Sequence, residues 1–145
     1  MAILINVLPD PQLGALGPVE YLELTWDERC KPHSRFTTSG GTEIAVALQR
    51  GSQLKDGLAV YNGVDRTIVI KAKHEPVLLI KPADNTHLCM VAHQLGNWHR
   101  SLQVKGDSIL TLADGPFADW LSKQSIDFEH TQLPFEPNLR SHSHD

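Results

Sequence analysis

Hydrophobic and polar residues alternate with period two through the first half of the chain. Leu22 and Leu24 are separated by a polar residue, and Ile44, Val46 and Leu48 repeat the same spacing. Such alternation predicts half-buried β-strands, because successive strand side chains point to opposite faces of a sheet. Glycines that favour tight turns separate these segments, at 40–41, 51, 57 and 63. The pattern predicts a small β-sandwich or half-barrel over residues 1–74.

The second half of the chain has a different pattern. A continuous apolar run, Val77 to Ile80, fits a strand that is covered on both faces. Asp84 then predicts the start of a helix, and Gly96 is expected to end it in the left-handed conformation. The apolar residues of this helix recur at the spacing of one helical face, at Leu88, Val91, Ala92 and Leu95.

The remaining signals complete a βαββαβ order over residues 75–133. Two strand candidates flank Gly106, and Asp114 predicts the cap of a second helix with Pro116 in its first turn. A last strand is expected around residues 126–128. This order predicts a ferredoxin-like domain and an α+β fold class for the whole chain. Residues 134–145 have no periodicity and are expected to be a flexible tail that contains His142 and His144.

Composition excludes several classes of function. The net charge is −4, and no cluster of Lys and Arg could follow a phosphate backbone, so nucleic acid is not an expected partner. The apolar start, residues 3–8, is too short to span a membrane and lacks a basic flank, so we expect an edge strand or a loose arm.

Cys30 and Cys89 form no CxxC pair and are expected to be reduced thiols of a cytoplasmic protein. Because HExxH, GxSxG and glycine-rich phosphate motifs are missing, we expect a protein that is not an enzyme.

Three histidines are candidate metal ligands: His99, His142 and His144. His99 follows the first predicted helix, where a histidine is more often structural, and the other two lie in a terminus that is solvated in the simplest interpretation. One imidazole alone binds a divalent metal weakly. A homodimer changes this, because a residue near a two-fold axis meets its own copy and two imidazoles then share one ion. His93 is a partly exposed histidine of the first predicted helix and a candidate neighbour of such a metal.

Three sequence motifs resemble the UreE family of urease accessory nickel chaperones. They are Leu-Thr-Trp-Asp-Glu-Arg at 24–29, Leu-x-Arg-Gly-x-x-Leu-x-Asp-Gly at 48–57 and Leu-Gly-Asn-x-His at 95–99. The resemblance implies a homodimer that carries Ni(II) as cargo and delivers it to apo-urease together with the accessory GTPase UreG. It also implies that His99 is the metal ligand at the dimer interface and that His142 and His144 are the C-terminal ligands. Cu(II) and Zn(II) are expected to bind in vitro, because imidazole ligands alone do not select nickel.

The chain departs from the family pattern at several positions. Gln94 stands where many members have histidine, and Asp114-Gly115 replaces an Asp-His pair that some members use for another metal. The C-terminal tail is also shorter than the His-rich tails of other members. We therefore expect one interfacial metal per dimer.

Two other functions compete with the metal carrier. The first is a dimeric protein-binding module, similar to the peptide-binding domain of heat-shock co-chaperones, in which His99→Ala would leave function intact. The second is a small zinc hydrolase that uses the same histidines. Such a hydrolase needs an open coordination position and a nearby general base, and the sequence indicates neither.

Overall fold

The computed structural model describes residues 1–140, which form a mixed α+β chain. This part of the chain divides into two compact units, one covering Met1–Lys73 and one that begins at His74. None of the helices in residues 1–140 combines the length and the apolar character needed to cross a bilayer.

The N-terminal unit contains six strands and one short helix. In chain order they are β1 (Ile3–Ile5), β2 (Val19–Leu24), α1 (Trp26–Cys30), β3 (His33–Thr37), β4 (Glu43–Ala47), β5 (Ala59–Asn62) and β6 (Thr67–Ala72). The strands form two three-stranded sheets with the orders β1-β4-β3 and β2-β6-β5. Both sheets contribute to one core, whose buried residues are Ile5, Leu22, Leu24, Ile44, Val46, Leu54, Val60, Ile68 and Ile70. The predicted sandwich is therefore confirmed, and the apolar start of the chain is an edge strand.

The sequence pattern misses helix α1. Trp26 continues the alternation of β2, yet it begins a helix that Thr25 caps. The Thr25 hydroxyl accepts a hydrogen bond from the Glu28 N–H at 3.3 Å, and the Glu28 carboxylate accepts one from the Thr25 N–H at 3.0 Å. This reciprocal capping box stabilises the turn against continuation of the strand.

A polar network links the two N-terminal sheets at Glu20. Its carboxylate accepts hydrogen bonds from the hydroxyls of Thr38 at 2.5 Å and Thr42 at 2.7 Å, and Arg66 lies 4.0 Å away. The two hydroxyl hydrogen bonds, assisted by the positive charge of Arg66, hold the pKa of Glu20 below its ordinary value. The folded N-terminal unit therefore favours the ionised form of Glu20.

The C-terminal unit has the predicted βαββαβ order. Its elements are β7 (His74–Lys81), α2 (Asn85–Asn97), β8 (Gln103–Lys105), β9 (Ser108–Leu112), α3 (Gly115–Lys123) and β10 (Asp127–Pro134). The strands form one antiparallel sheet in the order β10-β7-β9-β8. A two-residue turn joins β8 and β9, and Gly106 supplies its positive φ of 60°. The ferredoxin-like prediction is confirmed.

Both helices of this unit pack on the same core. Asp84 caps α2 by accepting a hydrogen bond from the His87 N–H, and Asp114 caps α3 in the same way through the Phe117 N–H. These are the two caps that the sequence predicts. The core joins residues of β7, β9, the two helices and two loop positions, namely Leu78, Ile80, Val91, Leu95, Leu102, Ile109, Phe117, Ala118, Leu121 and Ile126.

The segment after β10 differs from the expected flexible tail. Pro134 still pairs with His74 at the end of β10, and Phe135 is only 1% exposed. Asn138 and Leu139 then donate backbone hydrogen bonds to the carbonyl of Leu102, just before β8. Two features explain why residues 135–139 are held in place. Phe135 is buried, and the outer edge strand β8 has unpaired backbone groups that this segment can bond. His142 and His144 lie outside the described residues.

Candidate metal site

The C-terminus of helix α2 determines the position of His99. Trp98 is the C-cap, the His99 N–H donates to the carbonyl of Gly96 at 3.1 Å, and the Arg100 N–H donates to the carbonyl of Leu95 at 2.9 Å. These two bonds define a Schellman motif, in which the residue after the cap is left-handed. His99 is that residue, with a φ of 58°. The prediction that Gly96 takes this role is wrong, because α2 continues through Asn97 before it ends.

The left-handed backbone of His99 is energetically costly. A residue with a side chain costs about 1 kcal/mol more than glycine in this conformation. Ser125 provides a comparison within the same unit, because it has a φ of 57° and ends α3 with the same two hydrogen bonds. Strain at a residue with reactive chemistry is compatible with a functional role, whereas Ser125 carries no metal-binding group.

The two neighbours of His99 are anchored to α3 and its cap. The indole of Trp98 packs edge-on against the ring of Phe117, with centroids 5.3 Å apart. The guanidinium of Arg100 lies 3.1 Å from a carboxylate oxygen of Asp114, whose other oxygen caps α3. The backbone of His99 is therefore held on both sides.

The imidazole of His99 itself is exposed. Within residues 1–140, no three side chains of His, Cys, Asp or Glu converge in a way that could hold a metal ion. A metal bound by His99 therefore needs further ligands from residues 141–145 or from a second copy of the chain. An imidazole nitrogen suits borderline divalent ions such as nickel, copper and zinc.

The surface next to His99 permits close approach. Gly96 and Asn97 are exposed, and a side chain added at Gly96 would meet no atom within 4 Å. Helix α2 contains no Asp, Glu, Lys or Arg along its 13 residues. In the last turn of α2, next to His99, this depletion of charge is typical of surfaces that become buried in an interface.

The segment of residues 135–139 lies beside the strand that follows His99. Leu102 and Leu139 are antiparallel partners, and the side chain of Asn138 bonds both backbone groups of Val104, each at 2.9 Å. Along the chain, His99 lies three residues before Leu102, and His142 lies three residues after Leu139. The bridge therefore fixes the start of the segment that contains the two C-terminal histidines.

The sequence singles out His99 as a candidate ligand but does not indicate the contacts that anchor its neighbours. Trp98 and Arg100 contact Phe117 and Asp114 of α3 and its cap, and Asn138 bonds Val104. The sequence offers one signal for the role of Arg100, because it predicts that Asp114, the partner of Arg100, lies at the start of α3. The exposed His93 lies on the outer side of α2 and shows no interaction with His99.

Comparison with known protein families agrees with the architecture and with the motifs around His99. The model described as UreE urease accessory protein, N-terminal domain, matches residues 5–73, and that for the C-terminal domain matches residues 75–145. The urease accessory protein UreE of Burkholderia orbicola (strain AU 1054) is 35% identical over 149 residues, which cover 97% of this chain and 72% of that protein. The protein of the same name from Lysinibacillus sphaericus (strain C3-41) is 33% identical over 127 residues, which cover 86% of each chain. The chain thus belongs to the UreE family of urease accessory proteins, the non-catalytic nickel metallochaperones of urease maturation.

Proposed function

We propose that the protein carries Ni(II) as a homodimer in which His99 of each copy binds the same ion. The observation that carries this proposal is the backbone of His99, which is strained, anchored on both sides and ends in an exposed imidazole. Pre-organisation of this kind reduces the ordering that a ligand must undergo when the metal binds.

Two-fold symmetry explains how a single histidine becomes a site. A residue on the symmetry axis contributes twice, so one exposed imidazole per chain supplies two ligands to one ion. The uncharged last turn of α2, with Gly96 and Asn97, suits contact between two such helix ends. We infer that the dimer forms around this turn and holds one nickel per two chains.

His142 and His144 complete the proposed coordination. From Leu139 to His142 the chain spans at most about 10 Å, and the same limit applies from Leu102 back to His99. Because Leu102 and Leu139 are paired, the two arms start side by side and have equal length. Ligands on a chain terminus can also leave the metal without disturbing the core, which suits release of cargo.

Delivery requires partners and a compartment. We propose that the loaded dimer docks on the urease accessory GTPase UreG and passes nickel to the apo-urease complex in the cytoplasm. The two free cysteines support this compartment, because unpaired thiols are stable there.

Cu(II) is expected to bind the imidazoles more tightly than Ni(II) in vitro, and Zn(II) to bind as well, because imidazole ligation follows the general order of divalent affinities. Nickel specificity then comes from metal supply and from the partner.

The proposal is tested by urease activation in cells whose own copy of this protein has been removed. His99→Ala should fail to activate urease when nickel is limiting, and added nickel should restore part of the activity because uncatalysed loading depends on concentration. Ser125→Gly is the matched control, since it changes the equivalent position of α3 and should activate like the unmodified chain. Full activation by His99→Ala at limiting nickel would contradict the proposal.

A further inference from the structure

The outer face of α2 carries a second group of metal-binding side chains. Cys89, Met90 and His93 line a shallow depression that is open to solvent, together with Asn85 and Thr86. A thiol, a thioether and an imidazole therefore face the same space. None of the three belongs to the site around His99.

Helical spacing brings these donors together. Cys89 and His93 are four residues apart on α2, a spacing that puts their Cβ atoms about 6 Å apart on one helix face. The opposite face of the helix carries the buried residues Val91 and Leu95, so the donors point away from the core. Both Cys89 and His93 are exposed.

The donors have no competing interactions. Within residues 1–140, neither the Cys89 side chain nor the His93 side chain has a hydrogen-bond or ion-pair partner. The helix also contains no carboxylate, which is the ligand that calcium, magnesium and manganese prefer. The surface therefore lacks the carboxylates that hard cations prefer, and its strongest donors are the sulfur atoms of Cys89 and Met90 and the imidazole of His93.

We propose that Cys89, Met90 and His93 form a binding site for Cu(I). Thiolate and thioether sulfur are soft ligands that select monovalent copper, and the imidazole supplies a third donor. Binding displaces the thiol proton of Cys89, because the thiolate is the form that ligates metal. The site is separate from the proposed nickel site, since His99 follows His93 by six positions, which corresponds to a rise of about 9 Å along the axis of α2.

The test is a competition between the native protein and the Cu(I) chelator bicinchoninate, under anaerobic conditions at neutral pH. The unmodified protein should withdraw about one Cu(I) per chain. Cys89→Ser should weaken this binding by at least about tenfold, and His93→Ala and Met90→Leu should weaken it less, because thiolate is the strongest of the three donors. Cys30→Ser removes the other thiol of the chain and should leave copper binding unchanged.

Three results with the unmodified chain and the cysteine variants would each overturn the copper site. They are no withdrawal of Cu(I) by the native protein, equal binding by Cys89→Ser and the unmodified chain, or a loss in Cys30→Ser as large as that in Cys89→Ser. His99→Ala distinguishes this site from the nickel site, because it should keep Cu(I) and lose Ni(II). If His99→Ala loses Cu(I), the copper is bound by the interfacial imidazoles and the proposal is wrong.

Discussion

Leu102 and Leu139 exchange backbone hydrogen bonds across an antiparallel bridge, at 2.9 Å and 3.1 Å. The bridge connects the strand that follows His99 to the segment that precedes His142. The outer edge of β8 is thereby occupied by the chain's own C-terminal segment, and the side chain of Asn138 extends the pairing to Val104. The contacts of residues 135–139 thus fix the position of the chain up to Leu139.

Asn138→Ala should therefore weaken nickel binding through the tail. The substitution removes two hydrogen bonds with Val104 and should lower the free energy of unfolding by about 1 kcal/mol. In the full-length chain the nickel Kd should rise, because the start of the tail is less well held. In a chain truncated after Arg140, the same substitution should have no effect on the Kd.

This comparison is a double-mutant cycle, measured by calorimetry at neutral pH. Gln132→Ala, at an exposed position of β10, is the matched control and should not change the Kd in either chain. Additive effects of Asn138→Ala and truncation would show that the segment does not position the tail.

Substitution by glycine at the two left-handed residues, His99 and Ser125, should show that stability and metal binding change independently. Ser125→Gly and His99→Gly should each raise the free energy of unfolding, by up to about 1 kcal/mol, because glycine adopts this conformation without steric cost. His99→Gly should lose nickel, and Ser125→Gly should keep it. Urea unfolding and nickel calorimetry measure the two effects. A clear loss of stability in His99→Gly would contradict the assigned strain.

Arg100→Ala should reduce nickel affinity more than stability. The pair with Asp114 is half exposed, at 52% for the arginine side chain, so it contributes less than about 1 kcal/mol to folding. Loss of an anchor next to a metal ligand typically lowers affinity by about tenfold. Lys81→Ala is the control, because it breaks a similar exposed pair with Glu129 in the same unit. Equal nickel Kd values for the two variants would rule out a positioning role for Arg100.

The network around Glu20 predicts an acid-sensitive N-terminal unit. The pKa of Glu20 is lowered in the folded state by hydrogen bonds from Thr38 and Thr42 and by the charge of Arg66, so its ionised form favours folding. This stability is present above the ordinary glutamate pKa of 4.5 and is lost as the pH falls below that value, through the folded pKa. Glu20→Gln should therefore unfold with a weaker pH dependence between pH 5 and pH 3 (about two pH units).

The measurement is urea unfolding at a series of pH values, followed by the fluorescence of Trp26 in chains whose other two tryptophans, Trp98 and Trp120, are replaced by phenylalanine. Glu23→Gln is the control, because Glu23 is an exposed residue of the same strand. If Glu20→Gln and the unmodified chain lose stability equally on acidification, the network has no role in the acid response.

Local patterns in the sequence were sufficient for most of the fold. Asp84 and Asp114 cap the two long helices as predicted, and Gly106 forms the predicted hairpin turn, because each of these signals acts within a few residues. Helix α1 was missed because Trp26 fits the strand alternation, whereas its cap depends on the reciprocal bonds of Thr25 and Glu28.

The candidate site was predicted only in part. The sequence motif singled out His99, but its left-handed backbone results from the Schellman bonds and from the packing of Trp98 on Phe117. The order of residues 135–139 was missed for a similar reason. Phe135 is buried and Leu139 bonds with Leu102 only because distant parts of the chain meet there.

The most direct test of the shared nickel site is the stoichiometry of nickel binding, measured by calorimetry on the purified protein at neutral pH. The measurement compares the unmodified chain, His99→Ala and the chain truncated after Arg140. Two-fold sharing predicts about one nickel per two chains, loss of this binding in His99→Ala, and weaker binding with the same stoichiometry in the truncated chain. Equal binding by all three proteins, or one nickel for every chain, would contradict a site formed by His99 from two copies.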